Sequence, residues 1–158
     1  MRRFMGMAGM AVVFMGLAAV QAFAHGDVTP HPVDTTGLPP LDGKWDSPNP
    51  YRGNAKAIAA GAVGYLHNCA GCHGLNAEAG GVAPDLLLVA KDCPGMASEA
   101  AKASCFADTD DYFKGIVLDG RKTAEGRYTM PSYSGVFTPE GLWAVKAFLD
   151  QRTTEEAK

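Results

Sequence analysis

The sequence predicts one all-α domain that follows an irregular N-terminal arm. Apolar residues recur at helical spacing in segments that begin with good capping residues, and no alternating strand pattern extends beyond a few residues. Six prolines between residues 25 and 54 disfavour a helix or a central strand there, which predicts an extended arm. The length of 158 residues is compatible with a single domain and a single core.

The first residues have the pattern of a secretory signal. A short basic start precedes a nearly uninterrupted apolar run from Phe4 to Val20, and Ala22-Phe23-Ala24 provides small residues where a signal peptidase cleaves. We therefore expect residues 1–24 to be removed. The alternative, a retained membrane anchor, is disfavoured because the run is short for a span, and no membrane span is expected after cleavage.

The charge balance argues against one class of partner. Cleavage after residue 24 would lower the number of Lys and Arg residues from 14 to 12 and leave all 17 acidic residues, which gives a formal charge of −5. A chain with this acidic balance is a poor candidate for nucleic-acid binding.

Residues 25–54 form the predicted arm. Leu41, Trp45 and Tyr51 supply apolar area that can hold its later part against the domain. For residues 25–40 a disordered tail is the alternative, because these residues are polar and rich in proline.

Two segments with clear start signals predict the first and the last helix. Asn54 can cap a helix over about residues 55–68, which has an amphipathic stripe of helical period. Thr138, followed by Pro139 at the first helical position, can cap a helix over about residues 139–151.

Weaker signals lie between these two helices. Residues 110–118 are predicted to form a helix, and the alanine-rich residues 97–103 are predicted to form a short surface helix. Glycine, proline and polar residues predict loops elsewhere. The domain is thus expected over residues 55–152, with a polar, fraying tail at residues 153–158.

The pentapeptide Cys69-Ala70-Gly71-Cys72-His73 carries the clearest chemistry. Its spacing, C-x-x-C-H, is typical of covalent attachment of haem c. The two thiols can bond the two vinyl groups of the porphyrin, and the histidine can bind the iron. A zinc half-site and a redox dithiol are alternatives, but neither accounts for the histidine directly after the second cysteine.

Two further cysteines remain, Cys93 and Cys105. In an oxidising compartment an even remaining pair predicts a disulfide, and two free buried thiols are the alternative.

The sixth ligand of the iron is predicted to be Met130. Only Met96 and Met130 follow residue 24, and Met130 is far enough from His73 along the chain to approach the other face of the haem. The proline after Met130 also restricts its backbone. Met96, His67, His25 and an open coordination site are the alternatives.

Further residues are candidates for support of the haem. The carbonyl of Pro84 is a candidate acceptor for the second ring nitrogen of His73, because a metal-binding imidazole needs such a partner. Cationic or phenolic side chains available to the haem propionates are Arg52 and Arg127, the leading candidates, with Arg121 and Tyr128. For each of these four side chains, the alternative is an ordinary solvated surface residue without a contact to the haem.

The succession of a helix, CAGCHG, a loop with APDL, a helix, YTMPSY and TPEGLWAVKAFL resembles a class I cytochrome c over roughly residues 55–150. This resemblance implies helices wrapped around one covalently bound haem c. In that family the first and last helices cross at a small residue against an aromatic one, for which Gly61 and Phe148 are the matching candidates. The family's proline carbonyl, which accepts from the proximal histidine, matches Pro84.

The arm HGDVTPHPVDTTGLPPL, the segment NPYRGN and the cysteine pair are similar to periplasmic cytochromes that accept electrons from PQQ-dependent alcohol dehydrogenases. That resemblance implies a mono-haem electron carrier of the periplasm, which is not an enzyme. It would receive single electrons from such a dehydrogenase and pass them to a terminal oxidase or another cytochrome. The alternatives are a general periplasmic cytochrome c for other redox partners, and a haem ligand sensor or peroxidase-like protein.

Overall fold

The computed structural model describes residues 29–79 and 83–158, so the predicted signal peptide lies outside the described residues. Helices dominate this part of the chain, which confirms the predicted all-α class. In chain order the elements are α1 (Ala55–Asn68), α2 (Ala70–His73), the 3₁₀ turns Leu87–Val89 and Cys93–Gly95, α3 (Glu99–Asp119), the strands β1 (Arg121–Lys122) and β2 (Tyr128–Met130), and α4 (Pro139–Glu156). No helix in the described ranges is long and apolar enough to cross a membrane.

The starts of the first and last helices agree with the predictions. The side chain of Asn54 accepts hydrogen bonds from the N–H groups of Lys56 and Ala57 at the start of α1. The hydroxyl of Thr138 accepts from the Gly141 N–H at 3.2 Å, with Pro139 at the first helical position of α4. Each cap satisfies N–H groups that have no partner within the helix.

The end of α4 differs from the prediction. The helix extends to Glu156, so residues that were expected to fray are helical. Arg152 bridges to Glu155 and Glu156 at 3.2 Å each, at spacings of three and four residues. Thr153 is buried, and its hydroxyl donates to the Leu87 carbonyl. These contacts stabilise a last turn whose composition alone suggested a free tail.

The segment between the haem-type motif and β1 also differs. The two helices predicted over residues 97–103 and 110–118 are one continuous helix, α3, which begins after Ser98. The hydroxyl of Thr109 donates to the Phe106 carbonyl one turn back, and Asp110 is fully buried. Thr109 and Asp110, which lie between the two predicted helices or at the start of the second, are therefore accommodated inside one continuous helix.

The two-stranded ribbon was not predicted. Arg121 lies opposite Met130, and Lys122 lies opposite Tyr128, with an irregularity between the two pairs. Strands of two and three residues are too short to show an alternating pattern in a sequence.

Helices α1 and α4 cross in close contact. A Cβ atom at Gly61 would lie 1.9 Å from the carbonyl oxygen of Ala144, so only glycine permits this approach. The expected partner, Phe148, lies further along α4, and its ring centre is 5.3 Å from that of Tyr65. The close crossing at the small residue agrees with the expectation, and the atoms nearest to a Cβ there belong to the backbone of α4.

Residues 29–54 contain neither a helix nor a strand, yet they are attached to the domain. Tyr51 is buried, and Leu41 and Trp45 pack against the core. The Leu41 N–H donates to Glu140 at 2.7 Å, and the His31 N–H donates to the side chain of Asn68 at 2.8 Å. The arm thus lies against α1 and α4.

Candidate functional site

The C-x-x-C-H motif occupies a single helical turn directly after α1. The N–H groups of Cys72 and His73 both donate to the Cys69 carbonyl, at 3.1 and 2.9 Å. This turn brings the two cysteines and the imidazole together within five successive residues, with Cys69 as the N-cap and Cys72 and His73 inside the helix. Cys69 and Cys72 are half-buried and do not form a disulfide, and His73 is buried.

The ring of His73 is held by a backbone carbonyl. Its Nδ1 atom lies 2.7 Å from the carbonyl oxygen of Pro84. Because a carbonyl only accepts, Nδ1 carries a proton, and in the neutral form of the ring Nε2 then has a free lone pair. This is the tautomer and the type of partner that a metal-binding histidine requires.

Cys69 does not have the properties of a reactive thiolate. Burial, and to a lesser extent the neighbouring Cys72, raise the pKa of the Cys69 thiol to about 12. Redox dithiols and catalytic cysteines depend on a lowered pKa. Across residues 29–79 and 83–158, no group of three or more His, Cys, Asp or Glu side chains could hold a metal ion.

Two buried tyrosines bond to the backbone on either side of this motif. The hydroxyl of Tyr65 donates to the Gly74 carbonyl, directly after His73, and the hydroxyl of Tyr133 donates to the Asn68 carbonyl, directly before Cys69. Both distances are 2.6 Å. Burial raises the pKa of both phenols, so they remain protonated donors at neutral pH.

Met130 ends β2 and packs, partly buried, against the hydrophobic core. Its backbone lies against Gly120, where a Cβ atom would be 2.6 Å from the Met130 carbonyl oxygen. The following residues fasten the loop to α3. The Ser132 hydroxyl donates to the Leu118 carbonyl, and the Tyr133 N–H donates to the Val117 carbonyl at 3.0 Å.

The alternative sixth ligands lie elsewhere. Met96 is 37% exposed and follows the turn Cys93–Gly95, and His67 is exposed on α1. His25 is outside the described residues. Cys93 and Cys105 form a disulfide that joins this turn to α3, with their Cα atoms 5.5 Å apart.

The leading candidates for the haem propionates have different surroundings. Arg52 is held by buried carboxylates, with Nη2 2.7 Å from Asp110 and Nε 3.0 Å from Asp150, and its guanidinium lies over the Phe106 ring. The structure therefore gives Arg52 a place in an internal ion-pair cluster. Arg127 is exposed on the loop before β2.

The other two candidates pair with neighbours. The Arg121 guanidinium lies 3.2 Å from the Tyr112 hydroxyl, and Lys122 lies over the ring of Tyr128.

The internal ion-pair cluster was missed by the sequence analysis. Lys146 is 2% exposed, and its ammonium group contacts Asp110 at 3.1 Å and also Asp150. Desolvation raises the pKa of Asp150, although Lys146 and Arg52 act in the opposite direction. Charged residues on helices are usually solvated, so nothing in the sequence distinguished these from surface residues.

These features, a C-x-x-C-H turn with an oriented histidine in an all-α fold, define a c-type cytochrome. Comparison with known proteins agrees: residues 56–149 match the family described as "Cytochrome C oxidase, cbb3-type, subunit III", and the chain belongs to this cytochrome c family. Covalently bound haem c follows from that membership. The donor set fits the group, because it offers two unbridged thiols and an imidazole whose Nδ1 is already bonded.

Two curated relatives are similar to the chain. It is 40% identical over 139 residues to cytochrome c550 of Pseudomonas aeruginosa, a match that covers 85% of this chain and 86% of the relative. It is 32% identical over 109 residues to quinohemoprotein alcohol dehydrogenase ADH-IIG of Pseudomonas putida, which covers 68% of this chain and 12% of that protein. No solved structure matches the chain. The protein is thus a cytochrome c electron carrier.

Proposed function

We propose that Cys69 and Cys72 form the thioether bonds to haem c, and that His73 and Met130 are the axial ligands of its iron. The haem supplies a centre that gains and loses one electron. The assignment of His73 is supported by the contact between its Nδ1 atom and the Pro84 carbonyl. This contact orients the ring so that Nε2 faces away from the carbonyl, with its lone pair available to the iron.

The surrounding residues are suited to electron transfer rather than to bond chemistry. Pro84 holds the His73 ring, and the loop that carries Met130 is fastened to α3 through Ser132 and Tyr133. Ligands fixed in this way change position little when the charge of the site changes, which keeps the reorganisation energy low. A thioether opposite an imidazole also raises the reduction potential.

Substitution of the two methionines tests the axial assignment. Sulfur bound to low-spin ferric iron gives a weak charge-transfer band near the red end of the visible spectrum. Met130→Ala should abolish this band, lower the reduction potential and permit carbon monoxide binding to the ferrous protein. Met96→Leu, the matched control, should change none of these. If the unmutated protein binds carbon monoxide readily, a ligand sensor or a peroxidase-like protein is favoured instead.

For the electron donor, we propose a PQQ-dependent alcohol dehydrogenase, with onward transfer to a terminal oxidase or another cytochrome in the periplasm. The supporting observation is the match to a quinohemoprotein alcohol dehydrogenase. The matched segment is 12% of that longer protein, so the similarity is to one part of it. A segment like this cytochrome therefore exists within an enzyme of that name. The proposed cleavage of residues 1–24 would deliver the carrier to the compartment where such a partner can meet it.

Stopped-flow reduction tests the donor. Ferric holoprotein would be mixed with a purified PQQ-dependent alcohol dehydrogenase and its alcohol, and the same dehydrogenase without PQQ serves as the control. We expect reduction whose rate rises with dehydrogenase concentration and reaches a plateau. Reduction by ascorbate but not by the loaded dehydrogenase would exclude this donor and leave the general electron carrier as the function.

A further inference from the structure

Tyr133 connects the two segments that carry the proposed axial ligands. Its hydroxyl donates to the carbonyl of Asn68, the residue directly before Cys69, at 2.6 Å. Its own N–H donates to Val117 of α3 at 3.0 Å, and its ring centre lies 4.7 Å from that of Phe137. The side chain is only 2% exposed, so the hydroxyl has little access to water.

The acceptor of this bond is itself fixed. Asn68 ends α1, where carbonyls lose the donors that a continuing helix would supply. Its side chain donates to the Gly64 carbonyl at 2.9 Å and accepts from the N–H of His31 in the arm at 2.8 Å. The arm, α1 and the loop after Met130 therefore meet at one buried residue next to the haem cysteines.

We propose that Tyr133 is a positioning residue for Met130. Its bond to the Asn68 carbonyl holds the loop that carries Met130 and Tyr133 (the Met130 loop) against residues 69–73 (the haem-attachment turn). The bond thereby keeps the sixth ligand on the iron. This inference rests on the proposed axial role of Met130. The arm supports the same contact from outside, because the His31 N–H restrains Asn68. Without the hydroxyl, a buried carbonyl would lose its donor, and the loop would lose this bond to the residue directly before Cys69.

Tyr65 provides a matched comparison. It is equally buried, its hydroxyl makes a bond of the same length, and its acceptor, Gly74, lies at the other end of the same pentapeptide. The difference that the comparison uses is that Tyr65 belongs to α1 and not to the Met130 loop. Tyr65→Phe therefore removes the same kind of bond from the haem-attachment turn without releasing Met130.

The test measures how readily imidazole replaces Met130 in the ferric holoprotein. The apparent affinity of imidazole rises with the fraction of molecules in which Met130 is off the iron. We expect Tyr133→Phe to raise this affinity roughly tenfold, which is the scale of one lost buried hydrogen bond. It should also lower the temperature at which the red charge-transfer band disappears. Tyr65→Phe should lower the free energy of unfolding by about as much as Tyr133→Phe does. It should nevertheless change the imidazole affinity less than about twofold.

A second pair of variants tests the proposal if Tyr133→Phe does not accumulate as holoprotein. His31→Pro removes the N–H that restrains Asn68, and His31→Ala retains it. We expect His31→Pro to raise the imidazole affinity about two- to threefold and His31→Ala to leave it unchanged.

The possible failures can be told apart. If the unmutated protein lacks the charge-transfer band, the axial role of Met130 fails, and this inference fails with it. If the band is present but Tyr133→Phe and Tyr65→Phe shift the imidazole affinity equally, or neither shifts it, Tyr133 is merely structural and this inference alone is overturned. The same holds if only the second pair is measurable and its two members behave alike.

Discussion

Gly61 of α1 lies so close to Ala144 of α4 that a Cβ atom at position 61 would be 1.9 Å from the Ala144 carbonyl oxygen. The contact is between backbones, so no rotation of a side chain can relieve it. Because α1 leads directly into the turn of residues 69–73, this crossing also fixes the position of that turn relative to α4.

Substitution of this glycine should therefore be costly. Gly61→Ala forces the helices apart, and we expect a loss of about 3 kcal/mol or more in the free energy of unfolding, measured by guanidinium chloride titration of the holoprotein. Gly115→Ala in α3 is the matched control, because nothing lies within 4 Å of a Cβ atom there. It should be neutral or stabilise the protein by about 0.5–1 kcal/mol. Equal effects of the two substitutions would contradict the close crossing.

The disulfide should contribute to stability without affecting the haem. Cys93 and Cys105 join a turn to α3, and the loop they close is short. Replacement of both by serine should lower the free energy of unfolding by roughly 2–3 kcal/mol, mainly because the unfolded chain is less restricted. The visible spectrum of the folded protein should be unchanged. Mass spectrometry of the unreduced protein checks the bond, since alkylation of both thiols without reduction would exclude it.

Much of the fold was predictable because its signals are local. The caps at Asn54 and Thr138 and the C-x-x-C-H spacing each depend on a few neighbouring residues. The errors arose where distant residues decide the outcome. The predicted break in α3 fell directly before Asp110, which meets Arg52 and Lys146 of other segments, and the predicted tail included Thr153, which bonds to Leu87. Periodicity within one segment contains no information on such partners.

At the candidate site, too, the local features were predictable and the contacts between distant residues were not. The residue types of the pentapeptide identified the cofactor, and the absence of an N–H on Pro84 suggested a carbonyl free to accept from His73. The hydroxyl bonds of Tyr65 and Tyr133 to the flanking carbonyls could not be inferred, because both tyrosines also suit a hydrophobic core. Only the folded geometry distinguishes a tyrosine that fills space from one that holds the backbone.

The buried ion-pair cluster should be sensitive to loss of one member. Asp110 is fully buried and contacts Arg52, Lys146 and the N–H of Asn49. Asp110→Asn removes the charge between two cations and should lower the free energy of unfolding by about 3–5 kcal/mol.

The neighbouring Asp111 is the control for this substitution. Its side chain is exposed and pairs with Lys114 three residues along α3, so Asp111→Asn should change stability by less than about 1 kcal/mol. Denaturant titrations of both variants at neutral pH provide the comparison. Similar losses for the two substitutions would show that burial does not set the cost at Asp110.

The bond between Glu140 and the arm should make stability depend on pH. The Leu41 N–H donates to the Glu140 carboxylate at 2.7 Å, and this bond is the main cause that lowers the pKa of Glu140 below its ordinary value of 4.5. A pKa that is lower in the folded than in the unfolded state stabilises the fold above the unfolded pKa. That contribution is lost as the pH falls through the folded pKa.

Comparison with Glu140→Gln isolates this contribution. The variant should be less stable than the unmutated protein by about 1 kcal/mol at pH 7, because a neutral amide oxygen is a weaker acceptor than a carboxylate. The difference should shrink as the pH falls below 4.5. In a Leu41→Pro background, which lacks the N–H donor, Glu140→Gln should have little effect at either pH. A difference that stays constant across this pH range would mean that the Glu140 charge does not hold the arm.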